Sequence, residues 1–284
     1  MAEKMLDQIP EFNKPTTSSA EKDGLANWSA LTSVPTAKNA RELVIILMVA
    51  VCVVVGIELL VRAFQVPTYV FPAPSAIFGS LIHSWPVLMP HVGVTLTELA
   101  IGYFIGATIG IGLAALITQF PFIEKIVTPY IIILVTTPML ALVPLLILKL
   151  GFGMEPRIVA VALAVGPMVM INASTGFRRT DLAKIALARS YGATTLQIFR
   201  MVRFPLALPM IIVGLMVGGI FGLLTAVGAE MVGGGEGLGT RLVYYSSLAR
   251  MEPFFATIMI IATIGILLYF IFFLIGKRYT SWET

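Results

Sequence analysis

Cysteine is almost missing from this 284-residue chain: Cys52 alone lies within an apolar run, so no intrachain disulfide is available and the thiol reads as one more small buried hydrophobe. Histidine is nearly as scarce. His83 and His91 have no cluster of Cys, Asp or Glu beside them in the sequence, which argues against a transition-metal centre. Charge is thin: Asp, Glu, Lys and Arg make up 12% of the residues against 58% hydrophobic, and the mean hydropathy is +0.94. A soluble domain carries about a quarter charged residues, so this composition excludes an ordinary soluble enzyme. A nucleotide-binding loop is lacking too. Gly234 and Gly239 have the spacing, but Thr240 stands where the lysine belongs and an apolar span precedes them. The glycines read instead as a tight re-entrant turn toward the last apolar run. The N-terminal stretch has no apolar core of the kind a cleaved signal needs. Residues 1–42 are rich in Ser, Thr, Pro and mixed charge and read as a flexible cytoplasmic tail, with a short amphipathic piece from Leu25 to Leu31 around Trp28.

What the chain does have is long apolar runs. Six are long enough to cross a bilayer, at about 43–61, 92–118, 126–148, 157–175, 206–231 and 254–276, giving an all-α membrane protein with its transmembrane domain over 43–279. An even number puts both ends on one side. Lys38, Arg41, Lys125, Lys277 and Arg278 fall on that side, together with Arg178, Arg179, Lys184, Arg189, Arg200 and Arg203 of the long loop 176–205. Arg62, Lys149, Arg157, Arg241 and Arg250 fall on the other. Basic residues in short loops stay in the cytoplasm, so both termini and loop 176–205 are expected there. A pI near 9.2 does not imply nucleic acid, because the cations sit beside membrane spans.

The spans carry their own punctuation. Gly102, Gly106 and Gly110 fall on one helix face, and Gly214, Gly218 and Gly222 on another, stripes that let backbones approach closely in lipid. Pro129, Pro138, Pro144 and Pro167 each delete a helical hydrogen bond, and freed carbonyls at membrane depth need protein or a water-filled cavity. Pro144 and Pro167 are therefore candidates for the gate or pathway. Two acids join them. Glu98 opens the second span, where headgroups also satisfy it, and Glu230 ends the fifth. An acid at membrane depth faces protein or water.

Loop 176–205 is the most informative segment. Thr180 or Asp181 caps a helix running through Tyr191, Gly192 breaks it, and Thr194 with Gln197 forms a capping-box pattern for a second helix ending at Pro205. Leu182, Ile185, Ala186 and Arg189 share a face that suits a groove on a partner, or a lipid surface. At these residues the chain resembles the inner-membrane permease subunits of binding-protein-dependent ABC importers, in particular the nitrate, sulfonate, taurine and bicarbonate group. That family's loop pattern, EAA, three residues, Gly, nine residues, I-x-L-P, falls here on Ala186, Leu187 and Ala188, on Gly192, and on Val202, Arg203, Phe204 and Pro205. Ala186 stands where the family often has glutamate, and Phe204 where it often has leucine. The stretches FPAPSAIFGSL, TLTELAIGYFIG, LVPLLILKLGFG and AEMVGGGEGLG are similar to the same group in the same order.

The resemblance implies an ABC importer type I permease fold in a bacterial inner membrane. It further implies a second permease copy, making a homodimer, and cytoplasmic ATP-binding subunits that hold ATP and Mg in place of this non-catalytic chain. A periplasmic or lipid-anchored binding protein would deliver the solute. Ala186, Ala188, Arg189, Gly192, Ala193, Val202 and Pro205 would contact the ATPase, and the solute would be a small anion of the nitrate, bicarbonate, sulfonate or aromatic carboxylate class. An ion-coupled secondary transporter is the alternative; it would show an inverted repeat and paired intramembrane charges.

Overall fold

The computed structural model describes residues 40–279, and no strand occurs among them. The tail expected over 1–42, with its amphipathic piece at Leu25 to Leu31, lies outside the described residues up to residue 39. The chain divides into two compact units at Leu59 and Leu60. The helical part of the first belongs to α1, Ala40–Ala63, an unbroken apolar helix of spanning length. Nine further α-helices and one π turn follow among the described residues.

α2, Pro74–Gln119, is 46 residues long, about 69 Å at 1.5 Å per residue and more than twice a hydrocarbon core. It begins well before the expected second span. Pro74 occupies the first turn, where a missing N–H costs nothing, and Pro86 and Pro90 lie where Ile82, Trp85 and Val87 are exposed, so the carbonyls they orphan are not sealed in the core.

The third expected span, 126–148, is not one helix. α3, Pro121–Thr136, and α4, Met139–Leu150, meet at a 99° bend. Pro138 removes a donor and forces its predecessor away from helical geometry, and both Thr137 (φ −80°, ψ 125°) and Pro138 (φ −63°, ψ 110°) are extended.

α5, Glu155–Arg178, is the central helix and packs most extensively against α2 on one flank and α8, Phe204–Gly233, on the other. Both glycine stripes close on it. A Cβ at Gly102, Gly106 or Gly110 would lie 2.7, 2.6 or 2.5 Å from the carbonyl oxygens of Ile158, Ala162 and Gly166. On the other flank a Cβ at Gly214, Gly218 or Gly222 would meet Asn172, Val169 and Val165 at 2.8 to 2.9 Å. Since lipid is as apolar as leucine, such backbone approach is what holds spans together. Leu99, Ala107, Val161, Val165, Val169 and Leu223 form the core along this sandwich.

α6, Leu182–Ser190, and α7, Thr195–Ile198, form the connection from α5 to α8. Gly234, Gly235 and Gly237, all with positive φ, turn the chain into α9, Leu238–Ser247, a short helix where only a turn is expected from the sequence. α10, Met251–Tyr279, is the last span. Among the described residues five helices are thus long and apolar enough to cross a membrane, and the bent pair α3–α4 makes six if counted as one span.

Candidate coupling segment, polar cluster and chamber

The segment between α5 and α8 is built from local signals. Asp181 caps α6, its carboxylate accepting the Ala183 N–H at 2.8 Å. Gly192, at φ +80°, makes the turn that a side chain would strain. The capping box is complete: Gln197 Oε1 accepts the Thr194 N–H at 2.7 Å, and Thr194 Oγ1 accepts the Gln197 N–H at 3.3 Å. The second helix does not stop at Pro205. A π turn, Phe199–Arg203, carries it into α8, with the Phe204 N–H reaching Phe199 O five residues back. That wider turn accommodates the Pro205 ring, which would clash with the carbonyl one turn earlier in an ordinary helix.

This assembly is tied to the bundle. Arg178 donates to Glu124 at 2.6 Å and Arg203 to Gln119 at 3.2 Å, joining it to α3 and to the end of α2. Phe177 is buried between the rings of Phe199 and Phe204, at 5.2 and 6.3 Å. The outward apolar face differs from the expected one. Ile185 and Ile198 turn inward, while Leu187, Tyr191, Leu196 and Met201 are exposed. Of the expected contact residues, Ala186, Arg189 and Gly192 are exposed, and Ala188, Ala193, Val202 and Pro205 are half-buried.

At the opposite end of the bundle a polar cluster joins four elements. Glu98 is not near a helix end; α2 extends far enough before it that the side chain is fully buried. Arg157 Nη1 lies 2.8 Å from its Oε1 as an ion contact, without hydrogen-bond alignment. The same guanidinium donates to the carbonyls of Gly153 at 2.9 Å and Glu236 at 2.8 Å. Glu230, also fully buried, accepts the Thr95 hydroxyl at 2.6 Å on Oε1 and the Gly239 N–H at 2.6 Å on Oε2. Thr95 Oγ1 in turn accepts the Leu238 N–H at 3.0 Å. His91 has Nδ1 3.0 Å from the Gly237 N–H and Nε2 2.7 Å from Arg241 Nε. A neutral imidazole accepts at one nitrogen only, so it holds one of these donors at a time. Gly237 has no room for a side chain, because a Cβ there would collide with the Glu230 carboxylate.

Sequence reasoning singles out Glu98 and Glu230 but not their partners. His91, Thr95, Glu98 and Gly102 recur at spacings of four, three and four on one face of α2, which is the signal that marks them. Arg157 carries no such signal, since its role depends on α5 crossing α2. Among the described residues no group of acids, histidines and cysteines suited to a metal ion occurs.

Between the bent pair and the sandwich lies an open-sided chamber of about 350 Å³, walled by Thr137, Pro138 and Met139 at the break, Pro167 and Met168 of α5, and Phe221 and Thr225 of α8. No charged side chain lines it. Pro167 is at its wall; Pro144 is exposed on α4 outside it.

Comparison with known proteins adds the following. Residues 106–281 match the family described as "Binding-protein-dependent transport system inner membrane component". The chain is 32% identical to a probable ABC transporter permease protein of Haemophilus influenzae, over 72% of this chain and 83% of that one. It is 29% identical to the taurine transport system permease protein TauC of Escherichia coli, over 69% and 71%. Its fold resembles a chain of the inward-facing MetNI methionine ABC transporter, with a TM-score of 0.62, 20% identity, and coverage of 68% of this chain and 95% of that one.

Proposed function

Given that the chain belongs to the binding-protein-dependent transport inner-membrane components and is a permease subunit of an ABC importer, we propose that a pair of copies forms the pathway for a small anion of the sulfonate, aromatic carboxylate, nitrate or bicarbonate class. Separate cytoplasmic ATPase subunits take up loop 176–205, and a binding protein delivers the solute to the opposite face. The taurine permease among the relatives supports the sulfonate part of that class.

The observation that carries the coupling role is the unbroken path from Thr195 through the π turn to Gly233. Its base carries the exposed Leu196 and Met201, and its far end carries Glu230 and the polar cluster. A push on the base is therefore delivered along one rigid helix to the turn at the other end. Rigid-body movement of helix bundles about a central site is how such proteins alternate access.

The test is co-purification in mild detergent with the ATPase subunits, followed by ATP hydrolysis. Gly192→Val strains the turn by about 1–2 kcal/mol and points a side chain into open space, so the expected result is intact membrane insertion with loss of the ATPase. Recovery of the wild-type chain without any ATPase would overturn the reading.

A further inference from the structure

Helix α3 is a rod between two joints made by proline. At one end Pro121 forces Phe120 out of helical geometry (φ −123°, ψ 94°), and at the other Pro138 does the same to Thr137 (φ −80°, ψ 125°). None of the 16 residues between them is buried. Ile123, Val127 and Ile131 pack partly against the core formed by α2, α5 and α8, while Phe122, Ile126, Tyr130 and Ile133 are exposed. A hinge needs a few residues that absorb a change of φ and ψ, and α3 has them at each end.

Two arginines grip the first joint from either side. Arg203, at the foot of α8, donates at 3.2 Å to Gln119, the last residue of α2. Arg178, at the foot of α5, donates at 2.6 Å to Glu124 in the first turn of α3. Among the described residues this is the one side-chain hydrogen bond or ion pair that leaves α3. A charge-assisted bond of this kind is short and strong. The same two arginines stand at the two ends of the connection that carries the exposed Leu187, Tyr191 and Leu196.

The Arg178 bond also closes a groove. Between α3 and α5 lies a cavity of about 310 Å³, walled by Thr128, Ile131 and Val135 on one side and by Met170, Ser174 and Thr175 on the other. Glu124 and Arg178 are its end residues on their respective helices. Val135 borders the chamber at the helix break as well, so the two cavities are neighbours.

We propose that Arg178 is a positioning residue of the transport cycle. It ties α3 to the foot of α5 while Arg203 ties the end of α2 to the foot of α8. Movement of one foot against the other then falls on the Phe120 joint, where Pro121 has no N–H to bridge the break, and α3 swings as a flap over the groove. This rests on the permease reading and adds a second moving part to it.

The lone cysteine makes cross-linking specific. In a Cys52→Ser background, Thr128→Cys and Ser174→Cys, on facing walls of the groove, are combined and the chain is purified with its ATPase into lipid nanodiscs. Cross-linking by a flexible bis-methanethiosulfonate is timed nucleotide-free and vanadate-trapped. Each rate is divided by the rate at which a monofunctional methanethiosulfonate labels the single cysteines, which removes differences in access.

The normalised rate is expected to change about tenfold on trapping, as a hinged element requires. Arg178→Gln is expected to reduce that change to below about twofold, and the exchanged pair Arg178→Glu with Glu124→Arg to restore it, a recovery that packing alone does not give. Should Arg178→Gln fail to assemble with the ATPase, Glu124→Gln breaks the same bond from α3 and is read in its place. A rate that trapping leaves unchanged would overturn the flap. A change that survives loss of the bond, or that the exchanged pair does not restore, would overturn the tie. ATP hydrolysis in the same nanodiscs separates the two levels. An active ATPase beside a motionless α3 sinks only this inference, whereas a parent chain that retains no ATPase sinks the permease reading.

Discussion

Arg157 stands beside the fully buried carboxyl of Glu98 while holding two carbonyls from the turns around it, so its loss strands a buried charge as well as a packing contact. Arg157→Met is expected to destabilise the protein by about 3–5 kcal/mol, the cost of breaking a buried pair from one side. Thermal unfolding in detergent reads this directly. Adding Glu98→Leu to Arg157→Met should return a large part of the loss, a coupling that separates an ion contact from simple packing. Gly106 makes the second prediction at this scale. A side chain there meets the Ala162 carbonyl at 2.6 Å, and backbone cannot move aside as a rotamer can. Gly106→Val should therefore cost about 1–3 kcal/mol or more from overpacking, while Gly112→Val on the same helix, facing open space, should leave the melting temperature unchanged. Legibility at this scale was uneven. The glycine stripes were readable because spacing on one helix determines a face. Thr95, His91 and Arg157 were not readable as a cluster, because their meeting depends on how α2, α5 and α9 cross.

The π turn decides where loop 176–205 points. Five residues occupy it, and the wider ring sets the rotation of α8 relative to α7. Deleting Met201, an exposed residue within it, restores α spacing and turns the candidate coupling segment by about 100° around the helix axis. The expected outcome is normal abundance in the membrane with solute-stimulated ATP hydrolysis abolished, checked by quantitative blotting beside a phosphate-release assay. Asp181, Gly192, Thr194 and Gln197 were legible in advance, since capping and glycine turns are encoded within a few residues. The continuation through Pro205 was not, because a proline reads as a stop unless the preceding turn is known to be widened. Nor was the break in the third span. Pro138 was visible as a lesion, but a kinked span and two helices at 99° differ only in what packs on either side.

For the whole molecule, the charge distribution leads us to propose that both ends lie with loop 176–205 in the cytoplasm. Alkaline phosphatase inserted at Gly151, in the turn after α4, should be active, and the same enzyme fused after Thr284 should be silent; the reverse pattern would invert the topology. The sandwich around α5 bears on how the protein is made. α2 leaves the ribosome first and its glycine face has no mate until α5 follows; α5 then keeps its other flank bare until α8 arrives with Gly214, Gly218 and Gly222. Biogenesis thus passes through an intermediate with one closed and one open seam. Whatever attends that seam in the interval, insertase or lipid, competes with α8 for it, and the yield of finished bundle is settled during elongation.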